Sequence, residues 1–185
     1  MAEYYLISQL PALDGIGENT PLSIDEESFL DLCRQHLGKK AQSEIAKLTI
    51  VPPLQDENTS SALLKEWYEG ERNLRLALGK VRAEKMNKFF DLQNKSLPIE
   101  MLKVANEVAN EENPMRAEIL LFEFRLKFLE TLRPMDMFSE DFVFYYGLKL
   151  KLIMRMRQFD SNLGETAYRD IYKSILNGDR TEAML

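Results

Sequence analysis

A chain of 185 residues with 45% hydrophobic and 29% charged residues can bury a sizeable core and is too apolar to be disordered along its whole length. Its net charge of −6 arises entirely from residues 1–38, which contain seven acidic residues and one basic residue. This balance disfavours nucleic acid as the main ligand, and a single histidine and a single cysteine leave few groups for catalysis, metal binding or disulfides.

No segment approaches the run of about 20 apolar residues that a membrane-spanning helix requires. The first five residues lack the basic region of a signal peptide. We therefore expect a cytoplasmic protein.

The N-terminal part begins with the apolar segment Tyr4–Ile7, which predicts a short strand or a buried extended arm. Ser23 and Glu26 have the spacing of a capping box, in which each side chain satisfies a backbone N–H at a helix start. A helix is predicted from 24 to 37, and a second, shorter helix from 40 to 48.

A long helical pattern extends from 61 to 92, because large apolar residues recur there along one stripe. Gly70 and Gly79 are two positions at which this helix could break, since glycine costs about 1 kcal/mol relative to alanine in a helix. A further short helix is predicted from 99 to 109. The residues of the stripe are Leu64, Trp67, Leu74, Leu78, Val81, Phe89 and Leu92.

Two start signals organise the C-terminal half. Asn113, followed by Pro114, predicts a capped helix that reaches 132. Ser139 predicts a second cap, followed by two acidic residues that the helix dipole favours. The segment 142–159 fits both a helix face and, at 148–152, the alternation of a strand; its length and cap favour a helix.

A last helix is predicted from 165 to 176, closed by Asn177 and Gly178. The sequence therefore predicts a mainly α, single-domain bundle of six to seven helices over residues 1–178, with a frayed tail at 179–185. Its parts are an acidic N-terminal part (1–38), a long-helix part (61–132) and the C-terminal helices (139–177).

Candidate chemical sites have simpler structural interpretations. Cys33 and His36 share a helix face, but a zinc site needs about four ligands and no other Cys or His exists. Cys33 is better explained as a core residue. Gly15 and Gly17 lack the third glycine and the flanking strand of a dinucleotide-binding loop. We therefore expect no catalytic residue, no cofactor and no metal.

The best interaction candidate is a run of four basic residues interleaved with large apolar residues in the segment 142–159. It could dock on an acidic protein surface; alternatively, it is a core helix whose basic side chains extend to water. Direct membrane binding is disfavoured by the acidic N-terminal part. The candidate residues are Lys149, Lys151, Arg155, Arg157, Tyr145 and Tyr146.

Two markers carry a family resemblance. The first is Tyr4–Pro11 followed by Phe29–Cys33, and the second is Asn113–Leu121 followed by Phe124–Leu129. Together they resemble a small bacterial family of unassigned function encoded among the subunits of V-type (vacuolar/archaeal-type) ATPases.

Two further segments, Glu71–Arg75 and Tyr146–Arg157, are similar in style to the helical repeats of the V-type ATPase's stalk-seating subunit, which seats the central stalk on the membrane rotor. The resemblance implies an all-helical, non-catalytic accessory component, or one like the stalk-seating subunit, that serves proton or sodium ion transport by docking. Its implied partners are ATPase subunits on the central-stalk or rotor side, and it would reach the inner membrane only through that complex. The alternative is a general helical adaptor that binds an acidic partner through 142–159.

Overall fold

The computed structural model describes residues 2–14, 22–53, 59–92, 95–158 and 161–182. Over these residues the chain forms eight α-helices and no strand, so the predicted mainly α, single-domain bundle is confirmed, with one helix more than the predicted upper count. The helices are α1 (Ala2–Gln9), α2 (Glu26–His36), α3 (Lys39–Ala46), α4 (Ala62–Lys85), α5 (Ile99–Asn110), α6 (Pro114–Thr131), α7 (Glu140–Arg157) and α8 (Ser161–Glu182).

The two predicted caps in the C-terminal half are confirmed. The Asn113 side chain accepts hydrogen bonds from the backbone N–H groups of Met115 and Arg116, and Ser139 accepts one from Phe142. The predicted cap of α2 is wrong by two residues, because Asp25 accepts the bond from Ser28 and α2 begins at Glu26. A carboxylate at this position also benefits from the helix dipole.

The strand or extended arm predicted for Tyr4–Ile7 is wrong, because these residues lie within α1. Leu6 is fully buried where α1 packs on α2, so tertiary packing stabilises a helix too short to be stable alone. The helix predicted for 61–92 ends early, at Lys85. Asn87 adopts a left-handed conformation (φ 52°), and the N–H of Lys88 donates to the carbonyl of Ala83 at 2.8 Å.

Neither glycine breaks α4. At both positions the absence of a Cβ leaves space for an aromatic ring. A Cβ on Gly70 would overlap the ring of Phe128, which stacks on Trp67 with 5.9 Å between ring centroids. A Cβ on Gly79 would lie 2.9 Å from the ring of Phe90. Glycine at these positions therefore allows close packing along the helix.

The last helix is longer than predicted. α8 begins at Ser161 and passes through Gly178 to Glu182, so Gly178 does not close it and residues 179–182 of the expected tail are helical. Residues 183–185 lie outside the described residues, as do the Gly15 and Gly17 of the candidate loop.

The core of the described residues consists of two apolar clusters. The first joins α1, α2, α3 and α7 to the N-terminal part of α4 and the C-terminal part of α6. The second joins the C-terminal part of α4 to α5 and the N-terminal part of α6. α4 and α6 therefore pass through both clusters and hold them together.

The side-chain contacts define the direction of the helices. Lys85, at the end of α4, donates to the carbonyl of Ala109 at the end of α5, so these helices run parallel. α6 runs back along α4, because Arg125 reaches Glu71 and the later residue Phe128 reaches Gly70. Within the described part of the chain, no helix combines the length and hydropathy needed to cross a bilayer.

Candidate interaction surfaces

The helix that carries the predicted interaction residues, α7, lies at the centre of the first cluster. Eight consecutive residues, 143–150, are buried, so other elements surround this helix on every side. α2, α3, α4 and α6 all pack against it. Three of the six candidate residues, Tyr145, Tyr146 and Lys149, are buried within the chain, as the core-helix alternative expects.

Lys149 belongs to an internal polar network. Its ammonium group donates to Asp14 Oδ1 at 2.6 Å and to Glu130 Oε1 at 2.7 Å. The hydroxyl of Tyr145 donates to the same oxygen of Glu130 at 2.6 Å, and the hydroxyl of Tyr146 donates to the carbonyl of Pro11 at 2.8 Å. These bonds attach the segment after α1, and the end of α6, to α7.

The network shifts the pKa of each ionisable member. The hydrogen bond and the charge of Lys149 lower the pKa of Asp14. Burial opposes ionisation of Glu130 and Lys149, but their mutual hydrogen bond and their other partners outweigh it, lowering the pKa of Glu130 and raising that of Lys149. Burial and the bond to Glu130 raise the pKa of Tyr145 to about 12. All four groups therefore keep their ordinary ionisation state at neutral pH.

The other predicted interaction residues lie on the C-terminal half of α7. Lys151 pairs with Glu26 of α2, and Arg155 lies 3.6 Å from Glu118 of α6. Arg157 is partly buried. Because the six candidate residues do not form one exposed patch, the structure favours the core-helix alternative for most of 142–159. Contact of any of these residues with another protein stays a prediction.

Cys33 and His36 are not brought together as a reactive pair. Cys33 is 1% exposed within the first cluster, and burial raises the pKa of its thiol to about 12. His36 Nε2 instead lies 3.4 Å from Nε2 of Gln9. Among the described residues, no group of three or more His, Cys, Asp or Glu side chains has the arrangement of a metal site.

A groove of about 490 Å³ lies beside α3, bordered by basic and hydroxyl side chains. Its acidic member, Glu44, accepts hydrogen bonds from Thr59 at 2.8 Å and from the Ser60 hydroxyl at 2.7 Å. The carboxylate of Glu44 therefore places negative charge within the groove. These contacts attach the segment before α4 to α3.

The first exposed apolar surface is the α8 stripe, formed by Tyr168, Ile171, Tyr172 and Ile175. Their spacings of three and four residues put them on one helix face, and all four are more than half exposed. The charged side chains of Asp170 and Lys173 lie on the opposite face by the same periodicity. An amphipathic helix with its apolar face in water is typical of a docking element.

The second exposed surface is the aromatic patch, formed by Tyr4, Tyr5 and Phe138 with Met135 and Met137. The rings of Tyr4 and Phe138 are 5.0 Å apart, and those of Tyr4 and Tyr5 are 5.9 Å apart. All five side chains are about half exposed or more. The patch joins α1 to the link between α6 and α7.

Sequence reasoning missed both surfaces as interaction sites. The three-and-four spacing of the α8 stripe was visible in the sequence, but nothing there showed that the face stays uncovered. The aromatic patch joins residues more than 130 positions apart, so no local pattern predicts it. Comparison of the chain with protein-family models, with curated proteins and with solved structures gives no match.

Proposed function

We propose that the protein is a non-catalytic component of a V-type ATPase, either an accessory factor or a protein like the stalk-seating subunit, which docks on the central-stalk or rotor side through the α8 stripe. The observation that carries the proposal is the uncovered apolar face of α8. The family resemblance of the segments at 4–11, 29–33, 113–121 and 124–129 points to the ATPase as the partner.

The energetics favour docking through this face. Full burial of a large apolar side chain contributes about 1.5–3 kcal/mol, and the four stripe residues are more than half exposed in the free chain. An isolated helix in water gains little stability from local propensity alone. A partner that covers the stripe would therefore stabilise α8 and gain affinity in the same step.

The test is recovery of ATPase subunits with the affinity-tagged chain from mildly solubilised native membranes. We expect central-stalk or rotor-side subunits to be recovered with the unmodified chain. Ile171→Ser with Ile175→Ser should reduce their recovery at least about tenfold, because it removes apolar contact area equivalent to more than 1.4 kcal/mol of binding. Quantitative mass spectrometry measures the recovery.

The matched control is Asp170→Ser with Lys173→Ser, which also places two serines in α8 and leaves the net charge unchanged. It should recover as much ATPase as the unmodified chain. If the unmodified chain recovers no ATPase protein above a tag-only background, the proposed function is rejected. Equal recovery by the stripe variant would reject α8 as the docking surface.

A further inference from the structure

The aromatic patch is a second surface, separate from the α8 stripe, and its shape is fixed by its own hydrogen bonds. The Asp136 side chain accepts the N–H of Phe138 at 2.9 Å, and the Ser139 hydroxyl donates to the Asp136 carbonyl at 2.8 Å. Ser139 then caps α7. Phe138 is therefore presented from a formed turn against Tyr4, and binding loses little entropy in ordering that segment.

The charges around the patch have one predominant sign. Among the described side chains of residues 4–14 and 133–141, four are acidic and one is basic, although Asp14 pairs with Lys149 and Asp141 accepts a hydrogen bond from Ser61. Asp136 and Glu140, next to Phe138, are exposed; the one basic residue, Arg133, is exposed as well and lies over the ring of Tyr145 at 5.9 Å. The apolar surface thus has an acidic border.

We propose that the aromatic patch binds a cationic amphipathic helix of another protein. Tyr4, Tyr5 and Phe138 receive its apolar face, Met135 and Met137 adapt to its side chains, and Asp136 and Glu140 pair with its Lys or Arg residues. Methionine suits such a surface because its unbranched side chain repacks at low cost. This inference concerns a different surface and does not rest on the ATPase proposal.

The cationic partner proposed for the aromatic patch is opposite in charge to the acidic partner that the sequence suggested for 142–159. The basic residues at 149–157 predicted an acidic partner, but Lys149, Lys151 and Arg155 already pair with Asp14, Glu130, Glu26 and Glu118. Exposed acidic groups instead border the exposed aromatic rings. Opposite charge at the border of an apolar contact increases the association rate and fixes the orientation of the bound helix.

The test uses the full chain with ¹³C-labelled methionine methyl groups and two synthetic peptides of equal length. One peptide repeats leucines at spacings of three and four with lysines between them; the other has glutamate in place of lysine. We expect the lysine peptide to shift the Met135 and Met137 methyl resonances saturably, while Met86, exposed at the end of α4, and buried Met101 do not move. The glutamate peptide should cause no shift.

Two variants and a matched control decide whether the patch is responsible. Tyr4→Ser with Phe138→Ser should weaken binding of the lysine peptide at least about tenfold. The control, Phe89→Ser with Ile99→Ser, removes two exposed apolar side chains that belong to neither surface and should bind unchanged. Asp136→Asn with Glu140→Gln should weaken binding and its salt dependence while keeping the turn, because asparagine can still accept the N–H of Phe138.

The proposal is overturned if both peptides bind alike, if the control variant loses as much affinity as the patch variant, or if Met86 shifts together with Met135. If Tyr4→Ser with Phe138→Ser unfolds the chain, Asp136→Asn with Glu140→Gln still tests the proposal. Loss of ATPase recovery in the α8 variant with unchanged peptide binding would separate the two proposals.

Discussion

Arg125 Nε lies 2.7 Å from a carboxylate oxygen of Glu71, and this buried pair sits where the two apolar clusters meet. A second guanidinium N–H of Arg125 reaches the other carboxylate oxygen at 3.3 Å. Arg75 is more distant, at 3.9 Å from Glu71. The bond joins α4 to α6, the two helices that pass through both clusters.

Arg125→Met should reduce the free energy of unfolding by about 3 kcal/mol, because it leaves the Glu71 carboxylate buried with only a distant partner. Urea denaturation measures the change. Adding Glu71→Leu should recover more than about 1 kcal/mol, since the unpaired charge is then removed. Arg116→Met, at an exposed pair, is the control and should change stability by less than about 0.5 kcal/mol. If Arg125→Met left the free energy of unfolding unchanged, the pair of Arg125 with Glu71 would not stabilise the contact of α4 with α6.

Gly70→Ala should destabilise the protein by about 1–3 kcal/mol, although alanine favours the helix, because the new methyl group displaces the Phe128 ring from Trp67. Thermal unfolding followed by circular dichroism measures the loss. Phe128→Leu in the same chain should restore part of it by vacating space. Gly164→Ala in α8, where a Cβ meets nothing within 4 Å, should cause no loss. Equal stability of Gly70→Ala and the unmodified chain would rule out this steric explanation.

Lys149→Met should reduce the free energy of unfolding by about 1–2 kcal/mol at pH 7. We expect no larger loss, because the partner carboxylates are partly exposed to water. The folded-state pKa values of Asp14 and Glu130 are lowered, so their contribution is present above about pH 4 and is lost as the pH falls through them. The pKa of Lys149 is raised, so its contribution is complete below about pH 10.4 and is lost as the pH rises further.

The stability difference between the unmodified chain and Lys149→Met should therefore be constant from pH 6 to 8 and should shrink below about pH 4. Urea titrations at several pH values measure it. Lys80→Met, at an exposed pair, serves as the control and should show almost no pH-dependent difference. A difference that grows on acidification would show that the network does not stabilise the fold through ionised carboxylates.

Cys33 should react with a thiol reagent at pH 8 at least about 100-fold more slowly in the folded chain than in urea, because it is buried and its pKa is raised to about 12. Absorbance of the released thiol-reagent product measures the rate. His36→Ala should leave the folded rate unchanged. Rapid labelling that depends on His36 would instead indicate an activated thiol.

The sequence predicted the elements whose signals are local. Asn113 and Ser139 determine helix starts by bonds to residues two or three positions away, so their prediction was confirmed. α1 was mispredicted because its stability comes from burial of Leu6 against α2 rather than from its own residues. The helical spacing of apolar residues in α4 extends to Phe89, so the sequence predicted that Phe89 lies in this helix. The left-handed conformation of Asn87 ends the helix before that position, and Phe89 is 92% exposed.

The candidate site shows the same limit. Basic and aromatic residues on α7 indicate an interface when read along the chain, yet Asp14, Glu130 and Glu26, distant in sequence, neutralise the lysines in the fold. The ring contact of Tyr4 with Phe138 likewise depends on how α1 and the α6–α7 link meet. Tertiary contacts of this range have no signal in a single sequence.

The burial of residues 143–150 on all sides makes α7 a spacer of constant length. The aromatic patch lies before the first residue of α7 and α8 follows its last, so the length of α7, about 27 Å, separates the two in the chain. Two partners held at these ends could not slide toward each other. A machine with binding positions at the matching separation would gain avidity from both attachments, whereas one with a different separation could engage only one at a time.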